Sequence, residues 1–292
     1  MCEAGALESC HVSDRLKPLA EIMEDDLEIF SDSLSTLFGY TPVTLSSDPG
    51  SVFTYTNDFA TVRLKTPDTK PKNWSLHASS VWISAFFLAD HIHLLELDRY
   101  QHLPKIHVLE LGAGAGLPGI LIAKIRRDVQ VVLSDYPDQQ LIDTLNQNVA
   151  ANIPDGSAHV VPYDWTSPDV TLFRTLSPAG FDVIIAADTL WNADLHGPFL
   201  HSLESLLRRD ADGGSTPCVN LIAGLHTGRW TIQAFLKAVE DRRQFRLRRV
   251  VEIRANSGKG EIIEERNWEV EREGEDESNR RAWIVAITMG WR

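Results

Sequence analysis

The chain has 292 residues, 43% of them hydrophobic and 24% charged, with a formal net charge of −13. That is material for a sizeable core, in one large domain or two modest ones. The acid excess argues against nucleic acid as a main ligand, because phosphate binding needs a basic surface, and it accommodates a basic protein partner. Cys2, Cys10 and Cys218 are scattered and form no CxxC pair, so neither a disulfide framework nor a zinc site is expected. No metal-ligand cluster is visible, and the longest apolar run, around Val81–Ala89, is too short for a membrane span. The acidic start, with Glu3, Glu8 and Asp14, does not read as a signal peptide. A cytoplasmic or nuclear protein is the expectation.

Residues 1 to about 40 are acidic with a local helical pattern (Leu27, Phe30, Leu34, Leu37, Phe38), which fits a packing helix or a leader. Val52–Thr56 and Ala60–Lys65 alternate around Asn57-Asp58, the pattern of a β-hairpin. The spacing of Trp82, Ala85, Phe86, Ala89 and Ile92 predicts one helix over His77–Leu97. From Ile106 an apolar, β-branched run leads into Glu110-Leu111-Gly112-Ala113-Gly114-Ala115-Gly116 and resumes as a helix through Leu117, Ile120, Leu121 and Lys124. Strand, glycine turn and helix in that order form the first βα turn of a nucleotide-binding sheet. Glu110 before the first glycine disfavours a pyrophosphate and suits a cationic cofactor.

A second apolar strand, Val131–Asp135, ends in an acid roughly twenty residues on, where such folds place the acceptor for ribose hydroxyls. The competing role for Asp135 is to cap the helix that starts near Pro137. That helix carries a stripe of Leu141, Ile142, Leu145 and Val149, with Asn146 and Asn148 off it. A third strand, Ala158–Tyr163, ends at Asp164-Trp165, and Phe181–Asp188 reads as a strand buried on both faces. A helix through Phe199 and Leu203, a fifth strand Val219–Leu225, a helix Gln233–Val239 and strands Phe245–Ile253 and Ala282–Met289 complete the pattern. His226, just past the fifth strand, is either a base or a structural loop histidine. The acidic run from Glu264 to Glu277 reads as a solvated loop, with attraction of a lysine-rich substrate as the alternative.

Ser80-Val81-Trp82, Leu109–Gly114, Ser134-Asp135, Tyr163-Asp164-Trp165 and Ala187-Asp188-Thr189-Leu190-Trp191 occur in an order that resembles the seven-β-strand methyltransferases dependent on S-adenosylmethionine (SAM). The branch is that of the METTL21-like protein-lysine methyltransferases (lysine methyltransferase family 16). Asp135-Tyr136-Pro137-Asp138 further resembles fungal members labelled nicotinamide N-methyltransferase-like, some of which act on a translation elongation factor. The resemblance implies an α/β fold with a Rossmann-like, mostly parallel seven-strand sheet and an antiparallel final strand. It places an N-terminal extension of helix and hairpin at residues 1–75 and the methyltransferase domain at 76–292.

It also implies that Trp82, Gly112, Ala113, Gly114, Asp135, Trp165 and Ala187 bind SAM. Asp188 and Trp191 would be the catalytic pair beside the methyl group, although Trp191 stands where the family carries Tyr or Phe. The expected protein is a monomeric N-methyltransferase acting on a protein lysine, such as that of a basic translation or chaperone factor. Methylation of a small nitrogen compound, or a catalytically silent SAM-binding module, are the competing expectations.

Overall fold

The computed structural model describes residues 44–46, 49–68, 80–209, 215–255 and 262–292. All of them fall in one compact unit, Pro42–Arg292. The helix expected before residue 40, Cys2, Cys10 and the boundary near residue 75 lie outside the described residues.

Eight strands form one sheet: β5 (Ile106–Leu111), β6 (Val129–Asp135), β7 (Ala158–Pro162), β8 (Val183–Ala187), β9 (Cys218–Gly224), β10 (Phe245–Ala255), β11 (Ile262–Asn267) and β12 (Ile284–Trp291). Their spatial order is β11-β10-β12-β9-β8-β5-β6-β7. The five strands from β7 to β9 run parallel, and β12 inserts antiparallel between β9 and β10. The seven expected strands are all in the sheet, and β11 extends it at one edge.

Strands β5, β8 and β9 are nearly continuous buried runs because both faces of the sheet are covered. Side chains alternate between two apolar layers. Ile106, Val108, Val183 and Ile185 join one layer with α1 (Ile83–Asp90) and α2 (Leu117–Ile125). Leu109, Leu111, Ile184 and Ala186 join the other with α5 (His196–Leu206) and α6 (Arg229–Arg242), where Phe199 and Phe235 are fully buried. Strand order reverses between β5 and β8, where crossovers leave to opposite faces and open a crevice at the carboxyl ends.

Strands β2 (Val52–Thr56) and β3 (Thr61–Lys65) form the expected hairpin. What holds it is Asn148 on α3 (Gln139–Asn152), expected off the buried stripe but in fact buried. Its Oδ1 accepts from Lys65 N–H at 2.8 Å, and its Nδ2 donates to Lys65 O and Ala115 O, both at 2.9 Å. Asn152, one turn on, makes the same pair of bonds with Arg63. The match is geometric: four helical residues rise about 6 Å and two strand residues about 6.8 Å. Side-chain amides thus complete the ladder of an edge strand that, among the described residues, has no strand beside it on that side.

Two further expectations need correction. The segment expected as one helix over His77–Leu97 is described from Ser80 and is instead a short strand β4 (Val81–Trp82), helix α1, and two 3₁₀ turns, Ile92–Leu95 and Leu97–Tyr100. The α-helix ends at Asp90, with His91 already outside helical geometry (φ −119°, ψ 34°), and Glu96 in a left-handed conformation (φ +49°) separates the two 3₁₀ turns that follow. The charged segment before the final strand is not a solvated loop alone. Glu264 and Glu265 lie on β11, which pairs with β10, and Glu275 is half-buried in an ion pair with Arg229. No helix among the described residues is long and apolar enough to cross a membrane.

Candidate active site

The crevice holds a cavity of about 610 Å³. All nine residues singled out from the sequence line it: Trp82, Gly112, Ala113, Gly114, Asp135, Trp165, Ala187, Asp188 and Trp191. Eight come from the ends of β5, β6, β7 and β8 or just past them, gathered by the parallel alignment of those strands, and Trp82 comes from the short strand β4, which lies outside that sheet. Glu110, Asp135, Asp164 and Asp188 contribute carboxyl groups, and among the described residues the lining includes neither lysine nor arginine.

The glycine turn forms the floor. Gly112 has φ +69°, and a Cβ there would stand 2.7 Å from Thr189 Cγ2 and 3.7 Å from the Trp165 ring, so backbone must pass where a side chain has no room. Gly114 N–H donates to Asp135 Oδ2 at 2.6 Å, and Tyr136 N–H to Asp135 Oδ1 at 2.7 Å. Each oxygen keeps a free lone pair for a ligand hydroxyl. Burial raises the Asp135 carboxyl to about 6, against these two donors. The helix after Pro137 is capped by Asp138, which accepts from Gln140 and Leu141 N–H, so Asp135 is left to the cavity.

Glu110 lies underneath the turn. Its Oε2 accepts from Gly119 N–H at 2.9 Å in the first turn of α2, and burial pushes it up to about 8, with the Asp135 charge adding to that. Neutral at pH 7, it tethers the helix start rather than presenting charge to a ligand. Gly119 must be glycine for this contact, since a Cβ would meet that oxygen at 2.5 Å.

At the other end, Asp188 adopts a left-handed backbone, φ +53°. Its Oδ1 accepts from Gly224 N–H at 2.6 Å, while its buried Oδ2 has no hydrogen bond of normal geometry among the described residues. Burial raises its pKa, opposed by His226, the Gly224 N–H and Ser84. The His226 ring stacks on Trp82 with centroids 4.9 Å apart. Trp165 leans on Phe199 beside Gly112, and Asp164 accepts from Thr166 N–H and O–H, turning the chain after β7.

A sequence model described as lysine methyltransferase matches residues 70–240 of this chain, more than half of it. The chain belongs to that lysine methyltransferase family. Among individual proteins, it is 37% identical over 116 residues to the protein N-terminal and lysine N-methyltransferase efm7 of Emericella nidulans, covering 36% of this chain and 44% of that one. To the protein of that name in Cryptococcus neoformans var. neoformans it is 30% identical over 138 residues, 46% of this chain and 44% of the other. The chain spans less than half the length of these relatives. Among solved structures, the METTL16 MTase domain superposes with a TM-score of 0.46 at 11% identity, over 69% of this chain and 66% of that one.

The matched segment includes every lining residue from Ser80 to Thr227. Asn192 and Leu195 also line the cavity but carried no sequence signal, since a polar or apolar residue after a strand is common to any loop. Ser84, buried beside Asp188, was legible only as one position of a helix. Among the described residues no group of His, Cys, Asp and Glu is arranged to hold a metal ion.

Proposed function

We propose that this chain is a SAM-dependent N-methyltransferase whose acceptor is a protein amine, a lysine side chain above all. The observation that carries the reading is the cavity itself, lined by a glycine turn, aromatic faces and the acids Asp135, Asp164 and Asp188, with no lysine or arginine among the described lining. A cationic cofactor and an amine acceptor both suit that field.

The residues present fit SAM. The space above Gly112, which a Cβ would fill, admits a ligand against backbone, Asp135 has free lone pairs for vicinal ribose hydroxyls, and Trp165 offers a ring face to adenine. Gly114, Ala113, Trp82 and Ala187 would complete the cradle. When bound, SAM supplies a methyl group on a sulfonium centre already activated for displacement.

What this chain must add is alignment and dryness. An amine attacks neutral, so the acceptor end has to lower the cost of losing its proton. Asp188 orients the incoming ammonium through its buried carboxyl, and Trp191 walls the approach with a ring face that attracts a cation. The relatives are named for action on protein N-termini and lysines, and the net charge of −13 suits a basic partner such as a translation factor. We take the working form to be a monomer of the cytoplasm or the nucleus.

The test is transfer of labelled methyl from SAM into a fungal extract separated into protein and small-molecule fractions. Label in a protein band, lost with Asp135→Ala, is the expected result. Label confined to small molecules would overturn the protein acceptor, and no label despite SAM binding would overturn the enzyme.

A further inference from the structure

We propose that the end of the sheet opposite the cavity carries a docking surface for an acidic protein segment, built from Arg209, Arg243, Arg246 and Arg248; the inference goes beyond the methyl-transfer reading and does not depend on it. All four arginines are exposed. Elsewhere on the surface Arg99, Arg126, Arg127, Arg242 and Arg249 each meet a carboxylate. The four meet no Asp or Glu within ion-pair reach among the described residues. In a chain with 41 acidic and 28 basic residues, such a group is a local field opposite in sign to that of the whole.

The groups that hold these side chains are neutral. Arg246 lies opposite Gly290 in the β10–β12 ladder, and Arg248 is the extra residue where the register shifts between Leu247 and Arg249. A Cβ at Gly290 would collide with Arg248 Nη2 and stand 3.0 Å from Pro217 O, so glycine there lets the Arg248 guanidinium lie across the strand. Residues opposed in a ladder share a face, which puts Arg246 on the face that Arg248 crosses. The next residue, Trp291, points to the other face. There the Arg209 guanidinium sits 4.3 Å from the centre of the Trp291 ring, which packs on Phe245 at 4.6 Å and donates from Nε1 to Arg208 O at 2.7 Å. Arg243 caps the C-terminus of α6, two residues before Phe245. The arginines thus wrap one strand end, and Arg209 is braced by an aromatic face that leaves its charge uncompensated.

The chemistry this surface recognises is a row of carboxylates. A guanidinium presents a planar fork that takes a carboxylate through two parallel N–H bonds, which a lysine ammonium does not offer. A long polyanion such as RNA would run from the arginines onto a molecule of net charge −13, whereas a short acidic segment ends where the arginines end. Met289 of β12 opposes Val219 at the start of β9, and the cavity residues His226 and Thr227 follow the end of β9. The seven residues of β9 put about 20 Å between those two ends. The acidic segment therefore docks without entering the cavity, and both places can be filled at once.

The experiment uses the full chain and the fluorescence anisotropy of a labelled oligoglutamate peptide, with an oligouridylate of equal length beside it. The peptide binds wild type, and its affinity falls as salt rises. Arg246→Glu/Arg248→Glu binds it about tenfold more weakly, with an unchanged circular dichroism spectrum. Arg246→Gln/Arg248→Gln, which removes the charges without adding repulsion, weakens binding in the same direction. Arg63→Glu/Lys65→Glu makes the same change of net charge at exposed positions of the hairpin and binds as wild type does. Wild type that fails to bind the peptide, or an equal loss in the hairpin variant, overturns the proposal. Tighter binding of the oligouridylate than of the peptide overturns it in favour of a nucleic acid. Self-association in sedimentation that the arginine variants abolish overturns it in favour of a second copy of this chain.

Discussion

Replacing Asn148 with Ala removes three hydrogen bonds at once: two to Lys65 on the hairpin and one to Ala115 in the glycine turn. Lys65 is exposed, so water recovers part of what its backbone loses. Ala115 is buried, and its carbonyl is left without that donor. With about 0.5–1.5 kcal/mol net for each bond and about 1–3 kcal/mol for an unsatisfied buried group, the expected loss is about 2–4 kcal/mol. Asn152→Ala, which frees the backbone of exposed Arg63 and removes a bond to the Asn148 carbonyl that is additional to the helix ladder, should cost about 1 kcal/mol by the same reasoning. Urea denaturation of the two variants beside wild type measures both, and the slope m checks that the unfolded state is unchanged. Because Asn148 also steadies the turn, its variant should bind SAM more weakly, and Asn152→Ala should not. Equal losses for the two, or less than about 1 kcal/mol for Asn148→Ala, would refute the clamp.

Four other outcomes are expected. The Asp135 carboxyl, raised to about 6, must be ionised to accept both ribose hydroxyls, so SAM affinity should fall about tenfold per pH unit below that value. Calorimetric titration of Asp135→Asn should show weaker binding with that slope removed; a slope that persists would exclude Asp135 as its source. Gly112→Ala forces a Cβ at φ +69° against Thr189, costing about 1–2 kcal/mol in backbone strain alone, and should abolish SAM binding in a protein that still folds by circular dichroism. Burial would raise Glu252, but the guanidinium groups of Arg229, Arg272 and Arg266 hold it down at about 2. Its folded value is below the unfolded one, so its stabilisation is full above about pH 4.5 and is lost as pH falls toward 2. Glu252→Gln should lower stability by about 3 kcal/mol at pH 7 and flatten the acid limb of the stability curve; an unchanged limb would refute the assignment. Trp191→Phe, which restores the family's smaller ring, should retain methyl transfer, while Trp191→Ala should raise KM for the acceptor more than it lowers kcat.

How much of this was legible beforehand follows from how local the physics is. Hydrophobic period, glycine turns and acids at strand ends are properties of a few adjacent residues, so the strands β5 to β9, the hairpin and the helices after β5, β6, β8 and β9 could be read directly, while the short helix Thr171–Leu176 after β7 was missed. Eight of the nine cavity residues sit at the carboxyl end of such a strand or in the turn after it, where a parallel sheet collects its ligands, and Trp82, read as part of a helix, was named through the family resemblance. The helix expected over His77–Leu97 failed for the converse reason. A helical period survives on paper to Leu97, whereas the α-helix stops at Asp90 and the chain goes on as two 3₁₀ turns about a left-handed Glu96.

What tertiary structure alone decided are the pairings of polar groups distant in the chain. Asn148 to Lys65 spans 83 positions, Asp188 to Gly224 spans 36, and Arg229 to Glu275 spans 46. A polar side chain carries no mark of whether it will face water or a buried partner, since its period in the helix or strand is the same in both cases. Asn148 therefore read as solvent-facing, Glu110 as a ligand-facing charge, and the glutamates near the C-terminus as a solvated run. Burial then turned the first into a clamp, the second into a helix tether, and Glu275 into a partner of Arg229. The strand ends fixed where chemistry gathers; the folded contacts settled which polar groups are free to take part in it.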